Sequence, residues 1–350
     1  MYILYQVTPC RKVYRNNNIN ITSISTCLSH KKIVKLYQMV SLAPRIKLSN
    51  GQQIPAIGLG TWRSHESDAE RSVKDAIDLG YRHIDTAFVY ENEKEVGSAI
   101  NSKIAEGIVN REDIFVVTKL GGIHHDPQLV EHACRKSLSN LGLSYIDLYL
   151  MHFPVGQIHK GDDNVHGTLE LSDVDYLDTW RAMEKLVDLG LVIGIGLSNF
   201  NKQQTQRILQ ECRIRPLVNQ VECHPGFNQK KLIAFSKQCD IVITAYCPLA
   251  RPKPDQQWPP FLYDSTAKDL SKKYGKTPAQ ICLRYLVQLG AIPIPKSVSK
   301  SRIAENFAIF DFEIKNDDMK IIDDYNTGQR LIPFSGMSHH KYFPFNSNDE

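Results

Sequence analysis

At 350 residues and 42% hydrophobic content the chain can bury a large core, a size that suits two domains or one α/β barrel. Its formal charge of +4, from 42 Lys and Arg against 38 Asp and Glu, is slight for this length. With no basic run interleaved with aromatics, that balance argues against a nucleic-acid partner. No apolar run approaches the roughly eighteen residues of a membrane span, and the eight Cys include no Cys-x-x-Cys pair, so a soluble chain with reduced thiols in a cytoplasmic setting is expected.

Residues 1–40 contain no Asp or Glu but six basic residues, Arg11, Lys12, Arg15, Lys31, Lys32 and Lys35. This composition resembles a mitochondrial transit segment. Met39, directly before a natural domain start, supports the competing expectation of a disordered or upstream-initiated extension. Residues 41–350 are expected to form a single domain.

Arg45 to Leu48 and Gln53 to Ile57 flank Ser49-Asn50-Gly51. Asn-Gly is a strong hairpin signal because both central residues tolerate positive φ, so a small hairpin should precede the main fold. Strand patterns then recur near 57–61, 81–86, 114–119, 145–152, 192–198, 216–222, 241–247 and 291–296, with helical stretches between them. Ala69, Val73, Ala76 and Ile77 form one helical stripe stopped by Gly80. Val96, Ala99, Ile100 and Ile104 form the next, stopped by Gly107, and Gly142, Gly190 and Gly290 close later helices. Runs such as Ile114-Phe115-Val116-Val117 and Ile241-Val242-Ile243 read as strands buried on both faces. Eight such units predict a closed (β/α)8 TIM barrel with an N-terminal β-hairpin. One further helix, Asp317 to Tyr325, and an irregular aromatic C-terminal tail complete the chain, the tail lying over the active-site mouth.

In such a barrel, reactive groups gather where strands finish. The polar residues at those ends are Asp85, Lys119, His152, Ser198 with Asn199, Gln220 with Glu222, Tyr246, and Lys296 with Ser297. Any one of them has a structural explanation, as a cap, a solvated strand end or a core group. Their coincidence at one rim is much harder to explain that way.

The motifs Gly58-Leu59-Gly60-Thr61-Trp62, Asp85-Thr86-Ala87 with Tyr90, Thr118-Lys119-Leu120, Leu150-Met151-His152-Phe153-Pro154, Gly196-Leu197-Ser198-Asn199-Phe200, Asn219-Gln220-Val221-Glu222-Cys223-His224-Pro225 and Ile294-Pro295-Lys296-Ser297 resemble the aldo-keto reductase family. The resemblance extends in order from about residue 45 to 326. It implies an NADPH-dependent carbonyl reductase with Asp85, Tyr90, Lys119 and His152 as a tetrad. Residue chemistry agrees. Hydride reduction of a carbonyl needs an acid for the developing oxyanion, and a phenol with a pKa near 10 needs help at neutral pH. Tyr90 is the expected acid. The Lys119 ammonium would ease its proton release, Asp85 would hold that ammonium, and His152 would orient the carbonyl oxygen.

Gly58-Leu59-Gly60 and Gly194-Ile195-Gly196 lack the third glycine and the acidic partner of a Rossmann fingerprint. The resemblance instead places the nicotinamide carboxamide on Ser198, Asn199 and Gln220 with its ring on Tyr246, and the adenine near Glu305 and Asn306. Lys296, Ser297, Val298 and Arg302 surround the last strand end and the next helix start, where backbone donors and two cations suit a phosphorylated ribose, hence NADPH over NADH.

Trp62 and Phe153 are the expected substrate walls, with Phe88, Phe334 and Tyr342 as further apolar contributors. Phe153 and Cys247 stand where the family often has Trp and Ser. Residues 155–175 read as a long rim loop. No metal is expected, since His124-His125-Asp126 and His339-His340 complete no ligand spacing. A small-molecule carbonyl substrate and a monomer are expected. Three alternatives stay open: a narrower ketosteroid or ecdysteroid ketone reductase, a non-catalytic NADPH-binding subunit, and a metal-dependent barrel hydrolase using His83, Asp85, His152 and His224.

Overall fold

The computed structural model describes residues 42–164 and 169–345. The basic extension expected at residues 1–40, and part of the rim segment, lie outside the described residues. Strands β1 (Arg45–Lys47) and β2 (Gln53–Pro55) pair antiparallel with Ile46 opposite Ile54. Their connection departs from expectation, because only Gly51 has positive φ (+91°) and Asn50 does not. Gly51 N donates to Leu48 O at 2.9 Å and Leu48 N to Gln52 O at 2.8 Å, which makes a three-residue loop with glycine in the left-handed bulge position.

Eight strands then form one parallel sheet in sequential order. They are β3 (Leu59–Gly60), β4 (His83–Asp85), β5 (Phe115–Leu120), β6 (Leu148–Met151), β9 (Ile195–Ser198), β10 (Val218–Glu222), β11 (Val242–Tyr246) and β12 (Ala291–Pro293). A small antiparallel pair, β7 (Gly156–Gln157) and β8 (Leu171–Ser172), interrupts the expected rim loop. The sheet closes: Gly58 N donates to Pro293 O at 3.1 Å and Gly60 N to Pro295 O at 3.2 Å, with Gly60 bridged to Lys296. That closure explains the first Gly-x-Gly. A Cβ at Gly60 would lie 2.7 Å from Ile294 O, and one at Gly58 2.6 Å from His83 Nδ1.

Between and after the strands run α1 (Glu66–Asp78), α2 (Glu93–Ala105), α3 (Val130–Leu141), α4 (Tyr176–Asp188), α5 (Lys202–Glu211), α6 (Lys230–Gln238), α7 (Pro260–Tyr263), α8 (Ser265–Tyr274), α9 (Pro278–Leu289), α10 (Lys300–Phe307) and α11 (Asn316–Asp323). The expected last helix is α11, starting one residue earlier and ending sooner.

Side-chain alternation decides what faces the barrel interior. Phe115, Val117, Leu148, Leu150, Val218 and Ile292 pack inside with Leu48 and Ile54 of the hairpin, so the hairpin plugs the end where strands begin. Val116, Leu120, Tyr149 and Met151 face the helical layer instead. Continuing the inward set by two residues along each strand reaches Lys119, His152 and Gln220, and Asp85 lies beside Val117 in the sheet register. The apolar core therefore hands over to polar groups at the far mouth.

Candidate active site

The tetrad residues expected from sequence come from three adjacent strands. Lys119, fully buried, donates from Nζ to Asp85 Oδ1 at 2.7 Å, to Thr86 O at 2.8 Å and to Tyr90 Oη at 3.3 Å. Asp85 Oδ2 accepts from Gln220 Nε2 at 2.8 Å. Tyr90 arrives on a short 3-10 turn, Phe88–Tyr90, and its ring meets the His152 ring edge-on with centroids 5.8 Å apart. Burial, reinforced by Lys119 and His125, pulls the His152 pKa down to about 3, so its imidazole is neutral at physiological pH.

The resting electrostatics add to that expectation. Tyr90 is pushed well above an ordinary phenol, first by burial and then by Asp85. Lys119 spends its closest contacts on Asp85 and Thr86, and burial pulls its own pKa down against the pull of Asp85. The phenol thus keeps its proton in the resting site, as an acid for reduction must.

Ser198, Asn199 and Gln220 cluster at neighbouring strand ends. Ser198 Oγ donates to Gln220 O at 3.0 Å, and Asn199 Nδ2 to His152 O at 2.9 Å. Tyr246 is half-buried, and its hydroxyl donates to Asn199 Oδ1 at 2.7 Å, which fixes the ring plane. At the other side Lys296 and Arg302 are exposed, Ser297 is buried and Val298 is half-buried. Helix α10 starts at Lys300 with no side-chain cap from Ser299, leaving its first N–H groups without that partner. Two cations beside an uncapped helix start are a donor set that fits a phosphate. Asn306 is buried, and Glu305 Oε1 accepts from Thr277 Oγ1 at 2.7 Å.

The comparisons with known proteins agree with this geometry. Residues 56–327 match the Aldo/keto reductase family. Aldo-keto reductase family 1 member A1-A of Danio rerio is 45% identical over 297 residues, 82% of this chain and 91% of that protein. Estradiol 17 beta-dehydrogenase 5 of Mus musculus is 44% identical over 321 residues, 88% and 99% of the two chains. The chain belongs to the aldo-keto reductase family. A Bombyx mori aldo-keto reductase solved in complex with NADP superposes with TM-score 0.81 at 41% identity, covering 87% of this chain and 99% of that one.

Within this aldo-keto reductase the expected substrate walls are partly covered. Phe153 is only 6% exposed, covered by the tail through Phe334 (4.8 Å between centroids) and Phe345 (5.8 Å). Tyr342 is not a wall; it packs edge-on to Tyr176 at 5.0 Å, and its carbonyl accepts from Gln204 Nε2. Trp62 is half-buried, with the guanidinium groups of Arg63 and Arg251 each 4.6 Å from its ring.

Some organising contacts carry no local sequence signal, although Glu222 itself belongs to the strand-end set. Asn92, buried, donates to Thr61 O at 2.9 Å and Ser64 O at 3.0 Å and accepts from Thr86 Oγ1 at 2.8 Å, tying β3 to β4 beside the tetrad. Glu222, fully buried, accepts from the backbone N–H of Leu331 at 2.6 Å and Ile332 at 3.0 Å, so it anchors the tail. His83, Asp85, His152 and His224 form no common ligand set among the described residues, which removes the hydrolase arrangement. In space, His159 and Asp163 of the rim segment come close to His124, a proximity that sequence spacing does not show.

Proposed function

We propose that Tyr90 is the proton donor of this aldo-keto reductase, with Lys119 and Asp85 as its electrostatic support and His152 as the carbonyl-orienting group. The reaction is the NADPH-dependent reduction of an aldehyde or ketone to an alcohol. The observation that carries the assignment is the Lys119 ammonium, buried and shared between Asp85 at 2.7 Å and Tyr90 at 3.3 Å. Bound NADPH supplies the hydride that reaches the carbonyl carbon. As that carbon gains the electron pair, the C=O π pair moves to oxygen, and Tyr90 Oη passes its proton there. The phenolate left behind lies beside an ammonium, which offsets the cost of charging a buried phenol. A neutral His152 presents an N–H to the same oxygen and holds it in line. A solvent proton restores Tyr90, so each turnover consumes one proton.

We assign the nicotinamide amide to Ser198, Asn199 and Gln220, its ring to the Tyr246 face, the 2′-phosphate to Lys296, Ser297, Val298 and Arg302, and the adenine to Glu305 and Asn306. General aldehyde or aldose-type reduction is the leading substrate class. The intact tetrad geometry opposes a purely regulatory NADPH-binding role. We also propose a monomer acting in the cytoplasm, consistent with six unpaired cysteines in residues 134–282 and testable by light scattering and fractionation. The decisive experiment is Tyr90→Phe. Turnover should fall by about 100-fold to 10,000-fold while NADPH quenching of protein fluorescence persists. Near-normal reduction rates remove Tyr90 from the acid role. A panel of aldehydes, sugars, quinones and steroid ketones separates the broad reductase from a narrower ketosteroid enzyme.

A further inference from the structure

His124 closes a short turn, Gly122–His124, five residues beyond Lys119, and its imidazole is fully buried. Its Nε2 lies 2.9 Å from Asp163 Oδ1 in the rim segment. The same carboxylate faces two more imidazoles: His159 Nε2 is 3.9 Å from Oδ1, and His132 Nε2, from α3, is 3.9 Å from Oδ2. The His124 ring centroid is 5.6 Å from that of His159 and 6.4 Å from that of His132. Ligand atoms of His124, His159 and Asp163 all lie within 4.8 Å of one another.

A hydrogen bond to the carboxylate accounts for one imidazole, not for three converging on it. Imidazoles gathered around one carboxylate share an affinity for a Lewis acid. Donors of a tetrahedral zinc site, at about 2.0–2.1 Å from the metal, stand about 3.3 Å from each other. The 2.9 and 3.9 Å separations from imidazole to carboxylate bracket that value, and the His124, His159 and Asp163 ligand atoms as a set lie within 4.8 Å of one another. The opposing terms are the bond that Gly161 N donates to His159 Nδ1 at 3.2 Å, which would be lost, and the proton placed on His124 Nδ1, which is buried with no partner; the nearby Lys136 ammonium is exposed.

We propose that His124, His159 and Asp163 bind one divalent transition-metal ion of the zinc class, with the exposed His132 turning in as the fourth ligand. Three imidazoles and a carboxylate complete a tetrahedron, so the ion is structural and leaves no open coordination position. Oxygen-seeking Mg2+ and Ca2+ are disfavoured by the nitrogen-rich set. The ion joins the barrel turn, α3 and the rim segment. Its effect is to fasten that segment beside the active-site mouth, since the His124 ring packs edge-on to Phe88, two residues before Tyr90, at 5.1 Å.

The test uses full-length protein stripped with EDTA, dialysed and titrated with ZnCl2 in a calorimeter at neutral pH, beside His159→Ala and Asp163→Asn. Both substitutions lie on the rim segment, away from the tetrad. Expected are one equivalent bound with Kd below about 10 μM and affinity at least about tenfold weaker in each variant. Zn2+ should also slow tryptic cleavage after Lys160 in wild type and not in Asp163→Asn. Absence of binding below about 10 μM, or wild-type affinity in both variants, overturns the site. Thiolate charge-transfer absorption in the Co2+-substituted protein overturns it in favour of cysteines, and unprotected Lys160 in the zinc-loaded protein overturns the fastening role.

Discussion

Gln220 donates from Nε2 to Asp85 Oδ2 at 2.8 Å while Lys119 holds Oδ1 at 2.7 Å, so strands on opposite sides of the barrel mouth meet on one carboxylate. Asp85 is therefore both the counterion of a buried ammonium and a crossbrace. In Asp85→Asn, Lys119 loses its counterion, and its pKa, already lowered by burial, falls further. The expected result is a drop in kcat of about 100-fold or more and a loss of about 3 kcal/mol in stability. Steady-state kinetics and urea unfolding measure both. Retention of wild-type kcat would show that the ammonium's charge is not used in turnover.

The barrel was legible because its signals are local. Each strand announces itself as a short apolar run, and Gly142 (φ +60°) and Gly290 (φ +96°) end α3 and α9 in the left-handed conformation expected of a helix stop. The tetrad was legible because inward alternation along β5 and β6 aims Lys119 and His152 at one mouth. What stayed hidden depends on pairs far apart in the chain. Glu222 meets Leu331 across 109 positions, and His124 meets Asp163 across 39. Nothing in the neighbourhood of either residue specifies its partner. The resting protonation of Tyr90 was hidden for a related reason: residue types name the cation nearby, but burial has the largest effect on the phenol.

His83 supplies a pH signature. It is fully buried, and burial pulls its pKa down to about 4, below the roughly 6.5 of an unfolded chain. Between those values the unfolded chain takes up a proton that the folded one refuses. Stability from this group is complete above about pH 6.5 and is lost as pH falls toward 4, at up to about 1.4 kcal/mol per unit. Between pH 7 and 5 the wild type should lose about 2 kcal/mol more than His83→Asn, read from urea unfolding at each pH. Parallel pH profiles for the two proteins would place the titration elsewhere.

Glu222 predicts how the tail responds to a lost charge. Its carboxylate accepts from Leu331 and Ile332, and Arg330 beside them lays its guanidinium 3.5 Å from the Phe345 ring, which in turn covers Phe153. Glu222→Gln keeps the shape but replaces charge-assisted bonds with neutral ones, at a cost of about 1.5–3 kcal/mol. Faster proteolysis of the C-terminal segment and a raised KM for bulky apolar carbonyls should follow, with kcat for a small aldehyde little changed. Equal loss of kcat on small and large substrates would mean that Glu222 acts on the tetrad and not through the tail.

Lys296 and Arg302 test the cofactor preference directly. Both are exposed beside the uncapped start of α10, while Lys300 on the same helix is paired with Asp75 at 2.9 Å and so is less free to serve an anion. A 2′-phosphate is what separates NADPH from NADH, so the loss of one cation should weaken NADPH alone. In Lys296→Met the NADPH Kd should rise about tenfold or more, equivalent to about 1.4 kcal/mol, with NADH within about twofold of wild type. Because these contacts are exposed, the discrimination should also shrink with added salt. Fluorescence titrations with both nucleotides at two ionic strengths make the measurement. Unchanged NADPH affinity, or parallel weakening of both nucleotides, would move the phosphate away from Lys296.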